Sequence, residues 1–148
     1  MTEENKRLVR QVYEDIRSEG NLDLVDEIFS PDYLGHDPTA EPEEIRGREG
    51  FKEQTIGYRS VFPDLRFTID SLVAEGEEVV ARWTARGTHR GSMTGEEPTG
   101  NAIEVTGFGS WRIENGLVAE HWGVFDVMRL LRGIGVLPEE AAAGSTTG

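Results

Sequence analysis

The chain has no cysteine. Disulfides, thiolate nucleophiles and cysteine-ligated metal sites are therefore excluded. Cations are scarce as well: 15 Lys and Arg stand against 28 Asp and Glu, a net charge of -13. A surface of that sign repels phosphate backbones and anionic bilayers, so neither nucleic acid nor a membrane is an expected partner. Most of the acidity reads simply as solubility. No apolar run approaches transmembrane or signal-peptide length, and the opening MTEENKR is charged, so a cytoplasmic location is expected. Histidine occurs three times, at 36, 89 and 121. No H-x-x-x-H or H-x-x-E-H spacing joins these residues, and neither a metal nor another cofactor is expected. A G-x-S-x-G elbow and a phosphate-binding loop are also missing.

What is present suffices for one folded domain over 1–137, followed by a flexible tail at 138–148. Leu8, Val12 and Ile16 recur every four residues beside Val9 and Tyr13, which predicts a helix over 4–19. Asp23 is placed to cap a short second helix carrying Leu24, Val25, Ile28 and Phe29. Ser30-Pro31 stops it. The stretch 32–38 reads as irregular, with at most a strand fragment, and 39–47 as a polar loop able to act as a lid. Phe51, Thr55, Tyr58 and Phe62 share one face of a third helix over 48–61.

The period then changes to two. Phe67, Ile69, Ser71 and Val73 fall on one face of a strand. Val79, Ala81, Trp83, Ala85 and His89 fall on one face of the next, opposite Val80, Arg82, Thr84, Arg86 and Thr88. After a Gly- and Thr-rich loop at 90–101, two long strands flank a tight turn at Asn115-Gly116, and a short helix at 127–132 follows. Helices come first and strands second, so the class is α+β, with helices on one face of a mostly antiparallel sheet.

The 102–126 hairpin carries the candidate chemistry: His121, Glu120 and Asp126. A two-residue turn pairs Ile113 with Val118, Trp111 with Glu120 and Gly109 with Trp122. A three-residue turn with a glycine bulge pairs Ile113 with Leu117 and Gly109 with His121. The one-residue slip exchanges the faces of the strand. His121 suits general acid/base work because an imidazole titrates near neutrality. Asp126 either orients that imidazole, serves as a desolvated base itself, or caps the following helix. A bulge before it would turn Trp122 or Asp126 inward. His36 belongs either to the pocket mouth or to a turn. His89 either contacts a ligand or bonds the loop at its strand end. Tyr58, Phe62, Trp83, Phe108, Trp111, Trp122 and Phe125 supply aromatic surface. Gly107, Gly109 and Gly123 permit bending or close packing, and leave room for a bulky ligand.

Asp32-Tyr33 with His36-Asp37-Pro38, FPDLRFTIDSLVAEG at 62–76, ARWTARGTHRG at 81–91, Pro98-Thr99-Gly100 and RIENGLVAEHWGVFD at 112–126 together resemble the SnoaL-like polyketide cyclase family, within the nuclear transport factor 2-like superfamily. The resemblance spans about 5–137. It implies a cone-shaped curved sheet packed against three N-terminal helices, an internal apolar pocket and a homo-oligomer, dimer or tetramer. Characterised members cyclise polyketide esters by intramolecular aldol condensation, with a carboxylate on the last strand and a helping His on the strand before it. Alignment on Arg112-Ile113 puts those two positions on Gly123 and Gly109. It also matches His89 to the Gly-Thr-His motif, and it favours the three-residue turn, with His121 in the pocket.

The resulting expectation is a cyclase-type or related small-molecule enzyme for a hydrophobic substrate. Acid/base chemistry would rest on His121 with Asp126 or Glu120. The ligand would contact His36, Tyr58, Phe62, Trp83, His89, Gly109, Trp111, Trp122, Gly123 and Phe125. A non-catalytic hydrophobic-ligand-binding protein and an epoxide-hydrolase-like enzyme are the alternatives.

Overall fold

The computed structural model describes residues 2–138. The chain begins as α1 (Thr2–Gln11) and widens into a π-helical stretch, Val12–Arg17, where a plain α-helix was expected. The widening is visible at Tyr13, whose carbonyl accepts both the Ser18 amide (3.1 Å) and the Ser18 hydroxyl (2.7 Å). Such bulges re-aim the residues they contain. Here Val12, Tyr13 and Ile16 are fully buried, and Arg17 follows them inward.

In α2 (Asp23–Ile28), Asp23 is the first helical residue rather than the cap. Leu22 takes the cap position and makes no side-chain bond there. The segment expected to be irregular is a full strand, β1 (Phe29–His36), and the expected loop contains a short one, β2 (Glu44–Arg46). Both are long-range products: β1 lies parallel to the last strand and antiparallel to β2. Helix α3 (Gly47–Val61) buries Phe51, Thr55 and Val61.

The rest of the sheet is antiparallel: β3 (Arg66–Glu75), β4 (Glu78–Thr88), β5 (Ala102–Glu114) and β6 (Leu117–Phe125). The order is β2-β1-β6-β5-β4-β3 in one curved, mixed sheet. Val9, Tyr13, Ile16, Phe29 and Phe51 pack onto its inner face against Val79, Ala81 and Trp111. In β3 a bulge at Asp70 breaks the expected alternation. Phe67 and Ile69 face in, but beyond the bulge Leu72 and Ala74 do so, while Val73 is exposed.

The hairpin adopts the two-residue turn. Asn115 and Gly116 both have positive φ (53° and 76°), as a type I′ turn requires, and Glu114 pairs with Leu117. The three-residue turn is therefore not formed. A second irregularity follows at once. Ile113 pairs with Val118 but Arg112 pairs with Glu120, leaving Ala119 as an extra residue. Beyond this bulge Trp111 faces His121 and Gly109 faces Gly123, a register that neither turn alone produces. His121 therefore points inward and Trp122 outward.

Asp126 begins α4 (Val127–Gly133), its carboxylate accepting the Arg129 amide at 3.1 Å. Its expected roles as base or His-orienting group are thus replaced by capping. Asp126→Ala is expected to cost about 1 kcal/mol of stability in a urea titration, the usual value of a cap, with ligand binding unchanged. From residue 139 the expected tail lies outside the described residues. Among the described residues no helix is long and apolar enough to cross a membrane.

Candidate active site

A cleft opens between the inner sheet face, the π-helical stretch and α3. Its lining is largely apolar: Phe62, Phe67, Trp83, Ile103, Val105 and Phe125, joined by Tyr33 and Tyr58. His121 on β6 and Arg17 on the π-helical stretch are among the ionisable groups that stand in this lining. The volume accessible inside is about 80 Å³.

His121 is 8% exposed and its Nε2 has no hydrogen-bond partner. The ring stacks on Trp111, centroids 3.7 Å apart. Burial drives its pKa well below the ordinary 6.5, and the positive charge of Arg17 and then His36 pushes the same way. The imidazole is therefore neutral at pH 7. Its position depends on two glycines. A Cβ at Gly123 would lie 2.6 Å from Cε1 of His121, and a Cβ at Gly109 would lie 2.8 Å from Nε2. The space over both residues is occupied by this imidazole. A Cβ at Gly109 would also meet the Tyr13 hydroxyl and the Trp111 indole nitrogen, which are bonded to each other at 3.0 Å. Gly109 forms the floor beneath the His rather than a surface for ligand.

Arg17 has its guanidinium carbon 5.2 to 5.6 Å from the ring centroids of Tyr13, Phe51, Phe67 and Trp111. Among the described residues no carboxylate pairs with it. Sequence reasoning passed over this residue. The available signal was its spacing of four from Tyr13, which puts a cation on the apolar stripe of the first helix. Tyr33 and Thr55 were likewise not singled out for the site.

On the strand face opposite His121, His36 Nε2 lies 2.7 Å from Glu120 and its ring stacks on Trp122. Glu120 also receives Arg112, and the bond from His36, ahead of that from Arg112, holds its carboxyl below the usual range. Glu120 is thus committed to that face rather than to His121. Asp37 accepts from Gln54 and Tyr58. Burial, then the Asp37 charge, push the Tyr58 phenol up to about 12.

Other expected contacts lie elsewhere. Trp111 is fully buried beneath His121. Trp122 is 43% exposed on the outer sheet face, because the Ala119 bulge turned it there. His89 is buried away from the cleft lining. Its Nδ1 accepts the Thr99 amide (3.1 Å), so Nε2 carries the proton and donates to Glu96 (2.8 Å). Glu96 in turn takes the Met93 and Thr94 amides. This network ties down the 90–101 loop. Of the expected contact residues, His36, Tyr58, Phe62, Trp83, Gly123 and Phe125 do border the cleft.

A sequence profile of the SnoaL-like polyketide cyclases matches residues 7–134. The chain belongs to the SnoaL-like polyketide cyclase family. Solved structures agree. TsrD from Streptomyces laurentii is 31% identical, with a TM-score of 0.81 over 93% of this chain and 98% of that one. IdmH from Streptomyces antibioticus, a proposed polyketide cyclase, is 30% identical, with a TM-score of 0.78 over 88% and 98%. AclR from Streptomyces galilaeus, a proposed hydroxylase, is 27% identical, with a TM-score of 0.83 over 99% and 94%. A search of curated proteins found no match. The descriptions of these relatives differ in reaction type, so the chemistry of this SnoaL-like protein has to be argued from its own residues.

Proposed function

We propose that this SnoaL-like protein performs cofactor-independent acid/base chemistry on an apolar, carbonyl-bearing small molecule, with His121 as the proton-transfer group. The observation that carries this reading is the buried, neutral imidazole with an unpartnered nitrogen in a largely apolar lining. Neutral imidazole accepts a proton α to a carbonyl, leaving an enolate. The enolate carbon attacks a second carbonyl of the same molecule, and the resulting alkoxide takes the proton back from the imidazolium. The net change is one C–C bond formed with no redox step, which matches the aldol-type cyclisation of the family.

The interior volume of about 80 Å³ is far below the ~300–1,000 Å³ of typical ligand pockets. A polycyclic substrate would thus place one reacting end inside and the remainder in the mouth, near Asp37 and Tyr58. The test is α-hydrogen exchange in D2O, and cyclisation, of aryl polyketide methyl esters by wild type and His121→Gln. Equal rates would remove His121 from the mechanism. Tight binding without exchange across the panel would establish the non-catalytic binding alternative instead.

The expected homo-oligomer would use the outer sheet face. Val80, Phe108, Trp122 and Val124 are exposed there, between side chains of both signs such as Arg82, Arg86, Glu78 and Glu104. An apolar strip with mixed charges can complement a second copy of itself about a two-fold axis. Trp122→Glu is expected to reduce the mass measured by light scattering to that of a monomer. An unchanged mass would place the interface elsewhere.

A further inference from the structure

We propose that the cleft selects ligands bearing a planar oxyanion on an aromatic body, and that Arg17 is the residue that receives that charge. The inference rests on the cleft being the ligand site and adds the substrate class.

The argument starts from what Arg17 lacks. A guanidinium does not lose its proton in a protein, and a partly buried one normally finds a carboxylate. This chain offers 28 acidic residues, yet among the described residues none pairs with Arg17. Four aromatic rings surround it instead. Ring faces attract the cation, but they supply no in-plane acceptor for the N–H donors at the edge of the guanidinium. Tyr13 provides one side-chain contact.

Several other polar groups around Arg17 are neutral, while the Asp37 carboxylate in the same lining is taken up by Gln54 and Tyr58. The phenols of Tyr13, Tyr33 and Tyr58 are all held protonated by burial, and His121 is uncharged. Arg59, which also borders the cleft, is committed to the carbonyls of Arg17 and Ser18. Arg17 is thus the guanidinium in this largely apolar lining that neither a carboxylate nor a set of backbone carbonyls takes up among the described residues. A charge-assisted bond is strongest in such a setting, and a forked guanidinium matches a carboxylate or enolate in shape. His121 and Arg17 both pack on the Trp111 ring, so an anion held by Arg17 lies beside the proton-transfer group.

The test is isothermal titration of 2-naphthoate and its neutral isostere 2-naphthamide into the full chain. Wild type is expected to prefer the carboxylate by at least about tenfold, the worth of one charge-assisted hydrogen bond. Arg17→Met is expected to lose that preference while keeping its affinity for the amide. Arg17→Lys, which retains the charge, is expected to keep part of the preference. It also serves as the folding control, with thermal melting of both variants. Equal affinity of the two probes for wild type, or a preference that survives in Arg17→Met, overturns the proposal while leaving the cleft as the ligand site. Binding of neither probe overturns both. A preference for naphthoate in a protein that exchanges no α-hydrogen upholds the anion site and removes the proposed chemistry.

Discussion

His121→Gln is expected to lower the rate of α-hydrogen exchange by about 10²–10⁴-fold, the range lost when a general acid/base is removed. Gln retains a polar side chain of similar reach but cannot carry a proton between substrate atoms. The same residue sets the pH profile. Three influences disfavour the imidazolium: burial among Trp111, Tyr13 and the β5–β6 backbone, the charge of Arg17 on the π-helical stretch, and the charge of His36 on β1. No carboxylate offsets them at close range, since Glu120 is bonded to His36 and Arg112. The base form therefore persists below the ordinary pKa of 6.5. The rate is expected to stay level from pH 8 to 6.5 and to fall only in more acid solution. A limb centred at or above 6.5 would show that a different group titrates.

Stability follows from the same shift. Because the folded pKa is depressed, the unfolded chain binds more protons once the pH drops below 6.5. Unfolding free energy therefore declines between 6.5 and the folded pKa. In His121→Gln this contribution to the acid slope should vanish.

Much of the fold was legible because it follows from local periodicity. The four-residue recurrence of Leu8, Val12 and Ile16, the alternation from Val79 to Ala85 and the Asn115-Gly116 turn each encode one element, and the elements add up to the sheet. What escaped was set by distant partners. The strands β1 and β2 form because β6 offers a parallel edge and because β1 in turn pairs β2, and nothing in 29–46 announces either. The bulges at Asp70 and Ala119 each reverse a face, and a bulge leaves no mark in an alternating pattern beyond one extra residue.

The site suffered accordingly. The inward aim of His121 was expected through a three-residue turn, whereas the chain uses a two-residue turn and then slips at Ala119. Arg17 was overlooked because a cation on a helix reads as surface until tertiary packing places aromatic rings around it. The glycines at 109 and 123 were read as room for a ligand. The room exists, but the imidazole of His121 on β6 fills it.

That last point has a direct thermodynamic signature. Gly123→Ala is expected to cost about 1–3 kcal/mol in wild type, the usual penalty for overfilling a packed site. The backbone itself does not resist the change, since Gly123 has no positive φ. The three atoms nearest an added Cβ all belong to His121, at 2.6, 3.0 and 3.6 Å. The ring cannot retreat, because the Trp111 ring lies 3.7 Å behind it. In a His121→Ala background the obstruction is gone. The same Gly→Ala change should then be neutral, or should stabilise by about 0.4–1 kcal/mol through a less flexible unfolded chain. The pair should therefore show a coupling energy of about 1–3 kcal/mol in urea titrations.

Gly109 provides the contrast. Its added Cβ would also lie 2.6 Å from the Tyr13 hydroxyl and 3.0 Å from the Trp111 indole nitrogen, so removing His121 should not rescue Gly109→Ala. Equal cost of Gly123→Ala in both backgrounds would mean that the imidazole does not lie over Gly123. If the coupling is found, Gly123 and His121 represent a single choice. The carboxylate that the family resemblance places at 123 cannot share the site with an imidazole at 121. Gly123→Asp should then be tolerated only after His121 has been made small.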